Sequence, residues 1–403
     1  MSKIFLFDRE RTGRQIYTLP EGNNLKVTWE KKLPQFPNSG PESTPVIDKE
    51  GNIYFGCHNG CIYSLNNNGK IRWQFQTANK VYSSPLLLDN NLYFCCNNLD
   101  VICLSLTGEL IWVFEGYREL MKTNRISRIF SFLTSYLIYD YHAKSLNTKR
   151  ITAWCSPNYL ENNNIIVNLY GLGIVSLEYK TGKLIWKRKT SKHFHQALSS
   201  VAITTHKDQE VIIALSQTNK LMAINKKGEK IWERPLKRFF NSWATPAIDP
   251  EKKEIYCSTS IGNKKSIIYK FDLEGNLLWK KHLNTGIRGS ATIPKEDFIV
   301  IPCLNGELKK ISKITGKILQ EWKIGSKHLG LWTNSSIDES GNIIINSKLS
   351  FNTGRLNLIQ LNKQTSPVTI TYGKALGIPL ITEKSKILTA TWESKVLEIE
   401  IDN

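Results

Sequence analysis

One eight-residue phrase returns along the whole chain and fixes what it can fold into. NGKIRWQF at 68 to 75 is echoed by TGELIWVF at 107, TGKLIWKR at 181, KGEKIWER at 227 and EGNLLWKK at 274. In each, a tryptophan (Trp73, Trp112, Trp186, Trp232, Trp279) stands four residues after a glycine (Gly69, Gly108, Gly182, Gly228, Gly275). A sixth copy, TGKILQEW at 315, has Gln320 at the tryptophan position and Trp322 two residues on. Two residues along a strand is the same face, so that indole still reaches the packing layer. A seventh copy, NKQTSPVTITY at 362 to 372, has lost both glycine and tryptophan. A period of roughly 40–50 residues is that of a propeller or solenoid array.

The residues ahead of each phrase repeat too. STPVIDKEGNIYFGCHNGCIYSL, 43 to 65, holds three short apolar runs broken by EGN and HNG, and NNNG leads into the tryptophan strand. Runs of β-branched and aromatic residues separated by such turns are hairpins, so each repeat is four short antiparallel strands. The glycine serves the turn into the fourth strand, where positive φ is cheap for glycine alone. The tryptophan packs that outer strand on a neighbouring sheet, a burial of on the order of 3 kcal/mol at about 25 cal/mol per Å². Sheets this small cover one another when packed radially into a ring.

The first strand of each unit is STPVI at 43, SSPLL at 83, AWCSP at 153, SSVAI at 199, ATPAI at 244, GSATI at 289, TNSSI at 333 and GIPLI at 377, which makes eight units. The last, ending TWESKVLEIEI, has three strands, and NLKVTWEKK at 24 to 32 supplies the fourth from the other terminus. Such closure removes two free sheet edges. The expected fold is therefore all-β: one domain over 1–403, an eight-bladed β-propeller of four-stranded antiparallel blades closed by the N-terminal strand. The interval from Trp112 to Trp186 exceeds the others by the stretch 117–150, whose Leu120, Ile126, Ile129, Phe130, Leu133 and Leu137 fall near helical spacing. This predicts a helical insertion between blades 2 and 3. A helix packed on the propeller face is the plainest reading. A lid over the funnel, a partner-binding helix and a membrane-surface helix are the alternatives.

The pattern S/T-P-V-I, x-x-G-N-I-Y-F-G, N-G-C-I-Y-S-L, N-N-G-K-I-R-W resembles the tryptophan-docking repeat of the PQQ-like, quinoprotein alcohol dehydrogenase-like eight-bladed propellers. That family includes quinoprotein alcohol dehydrogenases and the propeller lipoprotein of the outer-membrane assembly machinery. The resemblance covers nearly all of the chain outside 117–150 and the first twenty residues. It implies the fold, and leaves activity open, since propellers host enzymes, docking platforms and ligand binders alike. The calcium-ligating set and catalytic aspartate of the dehydrogenases cannot be placed on this sequence, so no bound PQQ or other cofactor is expected. No stretch is apolar for the roughly 18 residues a membrane span needs. The apolar run in MSKIFLFDRERTGRQIY is too short for a signal segment, which predicts a cytoplasmic protein. The expected oligomeric state is a monomer.

The net charge of +19 draws anions, yet its lysines lie scattered through turns rather than massed beside aromatics on one element. This disfavours nucleic acid and favours a small anionic metabolite or a protein partner. Of the eight cysteines, most fall in strands, where a thiol is a small buried hydrophobe. CHNGC at 57 to 61 spans a hairpin turn, and Cys95 and Cys96 in YFCCNN point to opposite strand faces. Neither supplies the four ligands of a structural zinc site, so no metal is expected.

Residues just ahead of each inner strand line one mouth of a propeller's funnel. Round the ring these are Glu42, Tyr82, Trp154, His193, His195, Asn241, Trp243, Arg288, His328, Trp332 and Lys374. Polar groups converging in a partly apolar concavity make the default ligand site. His193 and His195 share a face if extended. His195, His193 and Glu42 are the candidates for acid–base work. Arg288, flanked by Gly286 and Gly289, is placed to clamp a carboxylate or phosphate where backbone approaches a ligand closely. Two functions follow: a cytosolic binding or scaffold propeller for a protein partner or small anionic ligand, or a cofactor-independent lyase, isomerase or cyclase of specialised metabolism built on the His/Trp/Arg funnel.

Overall fold

The computed structural model describes residues 3–34, 40–122, 154–190, 199–216, 219–237, 243–363, 366–375 and 377–402. Eight antiparallel sheets follow one another in chain order around a central channel. Blade 1 is typical. Its strands Val46–Ile47, Ile53–Gly56, Cys61–Leu65 and Ile71–Gln76 pair in sequence. The middle strands are buried on both faces and the outermost alternates between half-buried and exposed residues, because only its inner side meets a neighbour. In blade 6 the innermost strand is reduced to a bridge between Thr292 and Val300. Asn24–Lys32 pairs with Lys395–Asp402 in the register Asn24↔Asp402 to Lys32↔Lys395, so the ring closes as expected.

Packing between blades is apolar and complete. Among the described residues, eight buried clusters each span one pair of adjacent blades, including the last and the first. Strand alternation sends each residue to one of two seams. Cys95 joins the seam of blades 2 and 3, while Cys96 joins that of blades 1 and 2, the opposed facing expected of adjacent strand residues.

The repeated phrase is a joint between blades. Each indole lies on the glycine of the next blade: Trp29 on Gly69, Trp73 on Gly108, Trp112 on Gly182, Trp186 on Gly228, Trp232 on Gly275 and Trp279 on Gly316. Five of these indoles also donate Nε1–H to a carbonyl just ahead of that glycine, as Trp73 to Leu106 at 2.9 Å and Trp232 to Leu273 at 2.8 Å. The glycine is thus required twice, for its positive φ and for its missing β-carbon. Trp322 is buried in the seam of blades 6 and 7, so the displaced indole does reach the packing layer.

A second joint encircles the channel. In seven of the eight blades a residue at the start of the inner strand offers a side-chain oxygen to the corresponding N–H of the preceding blade; Ile378 in blade 8 cannot. Thr44 N–H donates to Ser84 Oγ (2.8 Å), Ser84 to Ser156 (3.0 Å), Ser156 to Ser200 (2.8 Å), Ser200 to Thr245 (3.0 Å) and Thr245 to Ser290 (2.9 Å). Ser290 N–H donates to Asn334 Oδ1, and Ile378 N–H returns to Thr44 Oγ1 at 3.2 Å.

Residues 3–19 form a strap across the far end of the channel. Inner-strand N–H groups of five blades donate to its carbonyls: Leu87 to Lys3, Ile203 to Arg9, Ile248 to Glu10, Ile293 to Thr12 and Ile337 to Gly13. Ile381 N–H donates to the Gln15 side chain at 2.6 Å. These N–H groups belong to free inner edges, which the strap covers. Arg11 is fully buried, its guanidinium donating to the carbonyls of Phe5, Val201 and Pro157. Of the expected insertion, the described part is one short helix, Gly116–Met121; the remainder, 123–150, lies outside the described residues.

Gly51 and Gly228 separate the two demands on glycine. Both have φ near +80°, but an added β-carbon at Gly228 falls 2.7 Å from the Trp186 ring, whereas at Gly51 it meets only Asn67 at 3.5 Å. Gly51→Ala should cost about 1 kcal/mol for the left-handed backbone, and Gly228→Ala about 1–3 kcal/mol more for the lost indole contact. Urea unfolding of the two variants measures the difference, and equal losses would exclude the docking role.

Candidate functional site

The inner strands run from the mouth that carries Glu42 toward the strap, so the strap lies at one end of the channel and the aromatic residues rim the other. Most of the predicted lining meets there. His58 Nε2 lies 3.4 Å from Glu42 Oε2. The His58 ring stands edge-on to Tyr82 with centroids 4.4 Å apart, Tyr82 lies 5.3 Å from Trp154, and Trp154 lies 6.3 Å from Trp243. The Arg288 guanidinium sits between two indoles, 4.2 Å from the Trp243 centroid and 3.8 Å from that of Trp332. Lys348 Nζ is 3.9 Å from the Trp332 centroid, and Lys374 Nζ is 3.0 Å from that of Trp392, which neighbours His58 at 5.9 Å. The contacts therefore run round the mouth from blade to blade.

Three of these residues escape a reading that looks only ahead of the inner strands. His58, Lys348 and Trp392 each stand six residues after the residue that closes the first hairpin of its blade, Asn52, Asn342 and Lys386. The second strand climbs back to the same mouth, so its end delivers a second tier of side chains there. The signal was the repeat itself, aligned on GNIYFGCH, GNIIINSK and SKILTATW.

Other expectations are placed differently. His193, His195 and Asn241 lie outside the described residues. His328 is exposed in the turn after the outer strand of blade 6, beyond the contacts of the mouth. Among the described residues, the histidine beside Glu42 is His58. Gly286 and Gly289 do not open space for a ligand: a β-carbon would fall 2.3 Å from the Gly262 carbonyl oxygen at the first and 2.4 Å from Pro302 Cγ at the second. They let strands and blades approach. The CHNGC thiols are structural, with Cys61 Sγ donating to Gln76 Oε1 at 3.1 Å and burial pushing Cys57 up to about 12. Among the described residues no group of His, Cys, Asp and Glu has the makings of a metal site.

Charge at the mouth is unbalanced. Burial alone would raise the Glu42 carboxyl, but His58, Lys348 and Lys374 outweigh it and hold the group below its usual range. Burial lowers Arg288 to about 10 against the pull of Glu42. Burial lowers Lys348 to about 7, reinforced by Lys374 and Arg288 and opposed by Glu42. Burial lowers Lys374 also, opposed by Glu42 and Glu393. Trp154 Nε1 is a buried donor with no partner among the described residues. Cations, indole faces and an unused donor thus converge at one opening and suit a flat or compact anion.

A folded Lys348 near 7 binds its proton less readily than an unfolded lysine near 10.4, so stability should rise as pH climbs from about 7 to 10. Lys348→Met should stabilise the fold by on the order of 2 kcal/mol at pH 7 and flatten that rise. Thermal unfolding across this pH window is the check, and a destabilised, equally pH-sensitive variant would contradict it.

The family described as outer membrane protein assembly factor BamB matches residues 6–202 and 171–365. No curated protein sequence matches the chain. Among solved structures, BamB from Moraxella catarrhalis superposes with a TM-score of 0.68 at 13% identity, covering 94% of this chain and 100% of that one. A europium-containing methanol dehydrogenase gives 0.60 at 11% identity, covering 87% and 90%, and the computationally designed Ika8 protein gives 0.61 at 12%, covering 96% and 100%. At these identities the likeness is one of fold. With eight blades, the indole-on-glycine joint and a match over most of its length, the chain belongs to the PQQ-like, BamB-type β-propeller family.

Proposed function

We propose that this chain is a binding propeller that holds a small anionic ligand, or an anionic group presented by a protein partner, at the Trp243–Arg288–Trp332 mouth of its channel. The observation that carries the reading is the state of Arg288. Its guanidinium is stacked between two indoles, and no described residue accepts a hydrogen bond from it. A guanidinium has five donors in a planar fork suited to carboxylate or phosphate, and here the fork is oriented by the rings while its donors stay available. Lys348 and Lys374 add charge on the same side. The strap bonds the inner edges of five blades at the other end of the channel, away from these cations. The setting we propose is the cytosol; eight buried cysteines dispersed over the blades suit a reducing compartment. The binding role of this chain is consistent with a family named for an assembly factor. The catalytic alternative built on His193 and His195 draws on residues outside the described ones, and the binding reading is the one the geometry favours.

Tryptophan fluorescence reports directly on the proposed site, since Trp154, Trp243, Trp332 and Trp392 line it. Titration with a panel of mono- and dicarboxylates and phosphates should quench or shift emission saturably. Arg288→Ala should weaken the best binder by about tenfold to a hundredfold, the loss of a charge-assisted hydrogen-bonding pair, and Arg288→Lys should restore only part of it. Saturable binding that is indifferent to Arg288 would place the ligand elsewhere.

A further inference from the structure

Four lysines in the described residues are more than nine-tenths buried: Lys270, Lys309, Lys313 and Lys348. Three are paired as buried ammonium groups must be. Lys313 Nζ donates to Asp249 Oδ2 and to the Pro294 carbonyl, both at 2.6 Å. Lys270 Nζ meets Glu254 at 2.7 Å and the Lys313 carbonyl at 2.8 Å. Lys309 meets Glu307 at 2.7 Å and also Glu321. Lys348, only 7% exposed, has no carboxylate and no hydrogen-bond acceptor on its amine among the described residues. Its neighbours are the Trp332 face and two further cations, Arg288 and Lys374, with Glu42 as the opposing charge among the described residues. The same fold that gives three lysines a bonded carboxylate leaves this one, among the described residues, with Glu42 acting only at a distance.

A lysine amine that is desolvated and flanked by cations is nucleophilic where an ordinary surface lysine is not. We propose that Lys348 is a carbonyl-trapping residue, forming a reversible imine with an anionic aldehyde or ketone held at the funnel mouth. The inference rests on the anion-binding reading above. Arg288 holds the ligand's carboxylate or phosphate. The Lys348 nitrogen lone pair adds to the carbonyl carbon, the carbonyl oxygen takes up a proton, and the resulting carbinolamine loses water to leave a C=N bond. Carbonyl compound and amine go in, imine and water come out, and nothing is oxidised or reduced. Glu42 and His58, 3.4 Å apart on the same rim, supply the acid–base couple that such a dehydration uses. The lowered pKa of Lys348, about 7, agrees with the geometry, since it leaves about half of the amine neutral at neutral pH.

The full-length protein is incubated at pH 7 with 2-oxoglutarate and sodium cyanoborohydride, which fixes an imine as a secondary amine, and the adduct is mapped by peptide mass spectrometry. A surface lysine has about a thousandfold less neutral amine at this pH, so Lys348 should be modified at least about tenfold faster than any other lysine even after allowance for its lower basicity. Excess glutarate, a dianion with no ketone, should protect it. Lys348→Arg, shown folded by its thermal midpoint, should lose the adduct. If glutarate and 2-oxoglutarate bind the mouth by tryptophan fluorescence but modification is spread evenly over surface lysines, the imine is excluded and the binding reading stands. If neither dianion binds and no adduct forms at Lys348, both fall.

Discussion

An indole ring laid on a residue that has no β-carbon sets the spacing of the blades. The contact works because a flat aromatic surface needs a flat partner, and a glycine peptide is the flattest the chain can offer. Its polar half, the Nε1–H bond to a carbonyl of the same turn, fixes the rotation of one blade against the next. The inner ring of hydroxyls does the same nearer the axis. A blade clamped at both radii has little freedom left, and the apolar seam between is filled by residues that alternate along each strand. Where the outer clamp degenerates, in blade 7, the seam survives on apolar packing with Trp322.

That rigidity is what permits the mouth to be so poorly balanced. Arg288, Lys348 and Lys374 crowd one side of an opening walled by indoles, with Glu42 drawn to His58. Left to its own energetics such a cluster would spread apart or pair off. Here the three cations are delivered by three successive blades, 6, 7 and 8, so their backbones cannot draw apart without moving a whole sheet. Function and stability pull in opposite directions at this end, as is usual for sites built on stiff scaffolds.

The fold was largely legible in the sequence because its strongest signals are local: glycine four residues before tryptophan, turn residues between short apolar runs, and a spare strand near the N-terminus that matches a missing one in the last unit. The ring's first tier of site residues was legible for the same reason, since Tyr82, Trp154, Trp243, Arg288 and Trp332 precede recognisable strand motifs. What escaped was whatever depends on a partner far away in the chain. The hydroxyl of Ser84 reads as a turn or strand residue until Thr44 is brought to it. His58, in CHNGC, reads as part of a hairpin between two thiols, because nothing nearby reveals that its turn tops the channel beside Glu42 and Trp392. The strap carries no repeat signature in the sequence, since its carbonyls are satisfied by five blades that lie as far off as Ile337. Gly286 and Gly289 misled in the other direction, their smallness being spent on neighbouring backbone rather than on a ligand.

The strap and the closing strand together impose an order of assembly. Asn24–Lys32 finds its partner only in Lys395–Asp402, and Gln15 engages Ile381 of the same final blade. Lys3, Arg9, Glu10, Thr12 and Gly13 can meet their blades as each is made, whereas Gln15 and Asn24–Lys32 stay unpaired until the final blade exists. Ring completion becomes a late event that adds the Gln15–Ile381 bond and the last seam together. A chain without its eighth blade would keep the strap on blades 2 to 7 and lack both the partner of Asn24–Lys32 and Lys374 with Trp392 at the mouth.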